Sequence, residues 1–222
     1  MPADLTVLVP RKDTTDPHWN AIQAYTRLAA GDTPYITGTY DWTGDPHWSM
    51  SRAINAARVL ATTSKLLITP VDYVVRPDHL EQVSAMLDEW PWWGPFGSVH
   101  QLWDEPTKRV MAGEPPSLDM PGDRTVLCMA CIAVRADSFD DVAGMDPRFS
   151  GYAPEDAALR LKLGILHGWP PGPQGEVVFE LWTDRSARPN FNVTGAFYTE
   201  RYLTSQTPET MRALIAEQSE GL

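Results

Sequence analysis

The sequence predicts an α/β fold, a doubly wound and mostly parallel sheet with flanking helices, from three observations. Short β-branched or aliphatic runs recur at Leu5 to Val9, Tyr35 to Tyr40 and Lys65 to Thr69. The first is apolar throughout, the form of a strand buried on both faces, as parallel sheets require. Between the runs, apolar residues return at helical intervals. The order β, α, β, α, β predicts right-handed crossovers and sets the ends of the first and third strands side by side. That is the edge at which open α/β sheets bind ligands, and Pro10 and Arg11 end the first strand there.

Each element has a local reason. Asp16 and Pro17 make a cap and first helical position, followed by Trp19, Ile22, Tyr25 and Leu28 on one face and Gly31 past the end. The Asp-Pro-His-Trp tetrapeptide recurs at residues 45–48; it reads as two similar helix starts, with no chemistry assigned to His18 or His47. The second run of apolar residues, Met50, Ala53, Ile54, Ala57, Leu60 and Ala61, predicts a helix with Arg52 and Asn55 off its buried face. Arg76-Pro77 opens a third helix with Leu80, Val83 and Leu87 inward. Trp90-Pro-Trp-Trp-Gly-Pro-Phe96 is too rich in breakers for helix or strand, so Trp92 and Trp93 are expected on an exposed loop, as a platform for a sugar ring or an apolar ligand face.

The polar segment from Asp104 to Arg124 is expected to be a long irregular lid or acceptor loop. Thr125 to Val134 reads as a strand, which would put Cys128 and Cys131 on opposite faces, packed and unable to bridge or to share a metal. Arg135 to Asp141 reads as a turn. Pro154 suits the first helical position ahead of Leu159, Leu163 and Leu166, which puts Glu155 and Asp156 in the first turn of that helix. Two carboxylates there complement the helix dipole, worth about 0.3–1 kcal/mol each, and are also suited to proton transfer. Trp169 to Gly175 is a breaker cluster and Glu176 to Trp182 a strand. Thr207-Pro208 caps a last helix with Met211, Leu214 and Ile215 inward. The expected organisation is one domain over residues 1–205, with residues 206–222 as a helix packed on it.

The 222 residues are enough to bury a large core. A net charge of −11 opposes an extended duplex nucleic-acid partner, since Lys and Arg must neutralise phosphates there. No apolar run approaches the roughly 18–20 residues of a membrane span, and the first residues lack a basic start and an apolar signal core, so a soluble cytoplasmic protein without a membrane partner is expected.

Ala143-Gly-Met-Asp-Pro-Arg-Phe149, then Gly151-Tyr152 and Glu155-Asp156, resembles the "GGFD…F…G-(W/Y)-G-ED" signature of GT-A glycosyltransferases, family-2-like enzymes with a galactosyltransferase-type C-terminal segment. The resemblance extends over residues 5 to 185. Val9-Pro10-Arg11-Lys12 resembles the family's first strand-to-helix turn, which touches the nucleotide. Its Arg/Lys…Asn helix matches Arg52 and Asn55, and seventeen residues after Asn55 stands Asp72, the second aspartate of an Asp-x-Asp motif. The chain departs from the pattern at Pro70, where the first aspartate belongs. It departs again at Glu180-Leu181-Trp182-Thr183, in place of a His-x-(W/Y)-His element.

What the resemblance implies is transfer of a sugar from a nucleoside diphosphate donor, a UDP-sugar first, to an acceptor hydroxyl, with inversion. Asp156 would be the general base and Glu155 a hydrogen-bond partner of the acceptor. Donor contacts would come from Pro10, Arg11, Asp41, Arg52, Asn55, Val71 and Asp72, and acceptor contacts from Trp92, Trp93, Gly151 and Tyr152. Asp72 and Glu180 would hold Mn²⁺ or Mg²⁺ weakly and only with donor present, or Arg52, Arg185 or Arg188 would neutralise the diphosphate instead. The acceptor could be a glycan, a protein side chain or a hydroxylated base. Two rivals are a catalytically reduced protein that binds sugar nucleotides or glycans, and a nucleotidyltransferase. The lack of a Gly-rich phosphate loop with a lysine after the first strand opposes the latter.

Overall fold

The computed structural model describes residues 2–11, 16–41, 43, 47–125, 127–151, 153–173, 176–183 and 195–220. In chain order the strands are β1 (Leu5–Pro10), β2 (Tyr35–Gly38), β3 (Lys65–Ile68), β4 (Tyr73–Val74), β5 (Trp92–Trp93), β6 (Ser98–Leu102), β7 (Gly122–Thr125), β8 (Ile132–Arg135) and β9 (Val177–Glu180). The helices are α1 (Pro17–Ala29), α2 (Met50–Leu60), α3 (Pro77–Glu89), α4 (Asp104–Met111), α5 (Ala136–Asp141), α6 (Glu155–His167), α7 (Gly195–Phe197), continued by a π-turn over Tyr198–Tyr202, and α8 (Pro208–Glu220).

The apolar run of β1 is buried over its whole length. It pairs in parallel with β2 and β3, as the alternation predicts. β8 and β5 extend the sheet antiparallel, giving the order β2-β1-β3-β8-β5. Side chains alternate across it: Leu8, Leu66, Ile68, Ile132 and Val134 meet α2, α5, α6 and α8, while Leu5, Val7, Val9, Leu67 and Ala133 meet α3 and the second sheet. That second sheet, β4-β9-β6-β7, pairs β6 with β9 in parallel and the rest antiparallel. Gly38 allows α2 to cross close over β2, since a Cβ there would fall 1.8 Å from the Ala53 carbonyl oxygen. Among the described residues no helix is long and apolar enough to cross a membrane.

Several expectations are corrected. Trp92 and Trp93 form a strand and are 2% and 1% exposed, not a surface platform. Pairing with β8 satisfies the backbone that the flanking prolines had been expected to disrupt. The polar segment after Leu102 is not one irregular lid: α4 carries Asp104 and Glu105 in its first turn and Lys108 and Arg109 in its last, matching the dipole, and β7 follows. Residues 136–141 are a helix, and 127–131 lie outside β8. Leu28 is exposed, because Thr26 takes the inward position on α1 by donating to the Val71 carbonyl (3.0 Å). Leu60 is exposed at the end of α2. The second Asp-Pro-His-Trp repeat does not open a helix; α2 begins at Met50, where the Ser49 hydroxyl accepts the Arg52 N–H (3.3 Å). Pro154 is the cap of α6, one residue before the helix.

Candidate functional site

The carboxyl ends of β1, β2 and β3 meet at one edge, where the Arg11 N–H donates to the Gly38 carbonyl (2.9 Å) and the Thr69 N–H to the Leu8 carbonyl (3.1 Å). Most of the residues expected to contact the donor gather here. Pro10 ends β1, and the Arg11 guanidinium donates to Asn20 Oδ1 (3.0 Å). Asp41 is exposed and turns the chain by accepting the Thr43 N–H (2.9 Å). Val71 and Asp72 lie in the turn that carries the chain from β3 of the first sheet to β4 of the second. The Asp72 carbonyl accepts the Leu181 N–H (2.8 Å), and Glu180 pairs with Tyr73. Two buried carboxyl groups, that of Asp72 just before β4 and that of Glu180 at the end of β9, therefore belong to adjacent backbone positions.

Asn55 has a different task from the expected donor contact: its amide donates to the Met145 carbonyl (2.8 Å) and accepts the Met145 N–H (3.0 Å). Arg52 donates to the Pro147 carbonyl (3.3 Å) and sits over the Tyr40 ring. Ser49 donates to the Phe149 carbonyl (2.7 Å), and the Gly151 N–H to the Trp48 carbonyl (2.8 Å). The start of α2 thus holds the 145–151 loop along its length and brings the start of α6 to the sheet edge. Within that loop Asp146 is buried and accepts from Arg148 (2.7 Å) and from the Tyr202 hydroxyl (2.7 Å). Burial opposes its charge, yet these donors hold its carboxyl below the usual range.

At the start of α6, burial pushes Glu155 up to about 8. Its Oε2 has no hydrogen-bond partner among the described residues. Asp156 is half-buried; burial raises it, opposed by the Ala157 N–H that Oδ1 accepts (2.7 Å) and by the charge of Arg160. Glu155 therefore holds a proton at neutral pH, and burial makes the Asp156 carboxyl more basic than usual. Beside them opens a cleft of about 300 Å³ lined by Trp92, Ala157, Arg160, Trp169, Pro170 and Tyr198 among others. Asp156 contributes to raising the Tyr198 phenol, so its charge is felt in the cleft wall.

Trp169, 60% exposed, is the aromatic that sequence reasoning missed. Its place in a Pro/Gly cluster, like that of Trp92, was the available signal. Trp92 meets it edge-on (5.7 Å between centroids) and donates to the Gly168 carbonyl (2.8 Å), forming the cleft floor, whereas Trp93 packs on the opposite face of the sheet. Tyr152, Arg185 and Arg188 lie outside the described residues.

For a divalent cation, the described residues include no cluster of three His, Cys, Asp or Glu side chains. Asp72 and Glu180 carry the oxygen atoms that would be available to one, and the buried Thr183 hydroxyl, where the second histidine was expected, has no partner among the described residues. This donor set fits a hard cation that takes its remaining oxygens from another molecule.

No protein-family model matches the chain, and no curated protein is significantly similar to it. Among solved structures the chain is similar to a mutant of Drosophila β1,4-galactosyltransferase 7 in complex with manganese, UDP-Gal and xylobiose, with a TM-score of 0.47 and 15% identity over 87% of this chain and 78% of that one. It is also similar to the mannosyltransferase PcManGT from Pyrobaculum calidifontis in complex with GDP-Man and Mn²⁺, with a TM-score of 0.49 and 15% identity over 97% of this chain and 69% of that one.

Proposed function

We propose that the chain is a GT-A glycosyltransferase moving a sugar from a nucleoside diphosphate donor, a UDP-sugar first, to an acceptor hydroxyl with inversion. The observation that supports this most is the Glu155–Asp156 pair: two carboxyls raised by burial in the first turn of α6, beside an aromatic-lined cleft. Neither is needed for the apolar packing that Ala158, Leu159 and Leu163 provide.

In this reading the acceptor lies in the cleft against Trp169, the Glu155 proton hydrogen-bonds an acceptor oxygen, and Asp156 removes the proton of the attacking hydroxyl. An acceptor hydroxyl is a poor nucleophile at neutral pH, and a carboxylate whose affinity for the proton is raised above the usual takes that proton more effectively. Pro10, Arg11 and Asp41 border the nucleotide. Asp72, with Glu180, faces the diphosphate, where a bound Mn²⁺ or Mg²⁺ would stabilise the charge gained by the leaving group. Asn55 acts as a positioning residue for the 145–151 loop.

The test is release of nucleoside diphosphate from a panel of UDP-, GDP- and TDP-sugars, with and without candidate glycan acceptors. Asp156→Asn is expected to lower kcat at least tenfold, about 1.4 kcal/mol in barrier height, with donor affinity unchanged. Retention of more than a tenth of kcat removes Asp156 as the base. Donor binding without turnover across the panel would favour the catalytically reduced binding protein.

A further inference from the structure

The protein carries a net charge of −11, yet among the described residues that line the cleft beside α6, Arg160 is the one charged side chain. Aromatic rings and prolines supply most of the rest. Two of the three guanidinium nitrogens fix the group in place: Nε donates to the Met129 carbonyl (3.0 Å), and Nη2 to those of Cys128 (3.1 Å) and Cys131 (2.7 Å). Nη1 has no hydrogen-bond partner among the described residues. It stands at Gly94 on the cleft wall, where an added Cβ would lie 2.5 Å from it.

Carbonyl dipoles orient the guanidinium but bring no counter-charge. Among the described residues no carboxylate forms an ion pair with Arg160, and Asp156 is the one carboxylate whose charge is felt there. Burial pulls the guanidinium below its ordinary value, the sign of a cation short of compensation. An incoming anion would meet a donor already desolvated and held in place, which is what makes a charge-assisted hydrogen bond effective. A second feature shapes the same cleft one turn along α6. At Gly164 a Cβ would fall 2.3 Å from the Trp169 ring, so only glycine lets the exposed indole lie against the helix there.

We propose that the cleft recognises an acceptor sugar bearing an anionic group, a carboxylate or a phosphate, with Arg160 Nη1 donating to the anion and the Trp169 ring against the sugar face. The proposal rests on the transferase reading, which makes this cleft the acceptor side. Arg160 follows Asp156 by four residues, about 6 Å along the helix axis and comparable to the reach of one sugar ring. The two side chains thereby orient the acceptor, a hydroxyl toward Asp156 and the anion toward Arg160.

The test titrates the full chain, without nucleotide, with methyl β-glucuronide, methyl β-glucoside and glucose 6-phosphate, read by ligand-observed NMR. The two methyl sugars differ only in carrying a carboxylate or a hydroxymethyl group. The glucuronide should bind at least about tenfold more tightly than the glucoside, and the advantage should shrink in 1 M salt, where the screening length is about 3 Å. Tighter binding of glucose 6-phosphate than of the glucuronide would assign the anion as phosphate. Equal affinity for the two methyl sugars together with no preference for the phosphate, or no binding of either anion, overturns the proposal. Arg160→Gln should abolish the preference and leave the glucoside affinity unchanged, whereas an Arg160 that only holds residues 128–131 would change Tm and not the ratio of affinities. Should that variant not fold, Gly94→Ala, which displaces Nη1, is expected to reduce the preference, and an unaltered ratio overturns the assignment. Arg160-dependent binding of the glucuronide with no nucleoside diphosphate released from any donor would keep the anion site and remove the transferase reading. Transfer to neutral acceptors with no gain from an anionic group would do the reverse.

Discussion

Glu155 is 7% exposed and carries its carboxyl at about 8, against an ordinary value of 4.5. Between those two pH values the folded chain holds a proton that the unfolded chain has released, so folding stability falls as pH rises through this window and is flat above it. Glu155→Gln keeps the shape of the protonated acid without the cost of ionisation. It should raise Tm at pH 8 and leave it nearly unchanged at pH 4.5, in thermal melts across that range; an identical slope in both proteins would show that Glu155 is not the group responsible. Lys162 works in the opposite sense. It is fully buried on α6 and donates to the carbonyls of Val142 (2.9 Å) and Gly144 and to Gln218 Oε1 (3.2 Å), and burial depresses it to about 7 from 10.5. The unfolded chain binds more protons between those values, so Lys162 contributes stability that is complete above about 10.5 and lost as pH falls towards 7.

At the scale of elements, the C-terminus of α5 decides how the motif loop leaves the sheet. The Gly144 N–H donates to the Phe139 carbonyl (2.8 Å) and the Ala143 N–H to that of Asp140 (2.9 Å), a Schellman closure with Ala143 at φ +54°. An L-residue with a side chain is strained there by about 1–2 kcal/mol, so Ala143→Gly should raise the denaturation midpoint, net of glycine's larger unfolded entropy of about 0.5–1 kcal/mol. Gly144→Ala should lower it, because at φ +62° the added Cβ would lie 2.6 Å from Asn55 Oδ1 and 2.9 Å from the Phe139 ring. Two neighbouring substitutions of opposite sign, read by urea denaturation, test the closure; equal signs contradict it. α8 is tied to the same loop, since Gln218 donates to the carbonyls of Ala143 (2.6 Å) and Met145 (3.2 Å). Gln218→Ala should cost about 1–3 kcal/mol by leaving the Lys162 ammonium and two carbonyls short of a partner.

The elements legible in the sequence were those whose periodicity was long enough to show: β1, β3, α2, α3, α6 and α8 begin within a residue or two of where their apolar rows and caps put them. Short elements escaped. α5 has six residues and β5 two, too few for a period, and both depend on partners distant in sequence. Glu155 and Asp156 were legible as a first-turn pair, but their raised proton affinity was not, because it comes from burial by residues far along the chain. The hydrogen bonds that the Cys128 and Cys131 carbonyls accept come from Arg160, some thirty residues away, and no local pattern announces them.

At the scale of the whole molecule, the Pro70–Asp72 turn joins the two sheets, so a ligand bound there would hold both layers at once. A nucleoside diphosphate brings negative charge to a chain that already carries −11, and Pro70 and residues 180–183 differ from the pattern resembled by one aspartate and two histidines. In the proposed function, Asp72 and Glu180 alone would give a cation too few ligands in the free protein. The phosphate oxygens of a bound donor would add the oxygen ligands that Mn²⁺ or Mg²⁺ needs. Cation and nucleotide should therefore bind together. In calorimetry and thermal melts, Mn²⁺ alone should have little effect and UDP alone a small one, while the pair gives a Tm rise larger than the sum. At a hundred times the dissociation constant such linkage is worth about 2.7 kcal/mol, or several degrees for a chain of this size. Asp72→Asn should abolish the synergy and leave the UDP-only shift in place. Tight Mn²⁺ binding to the free protein, or sugar transfer undiminished in excess chelator, would assign the diphosphate to arginine side chains instead.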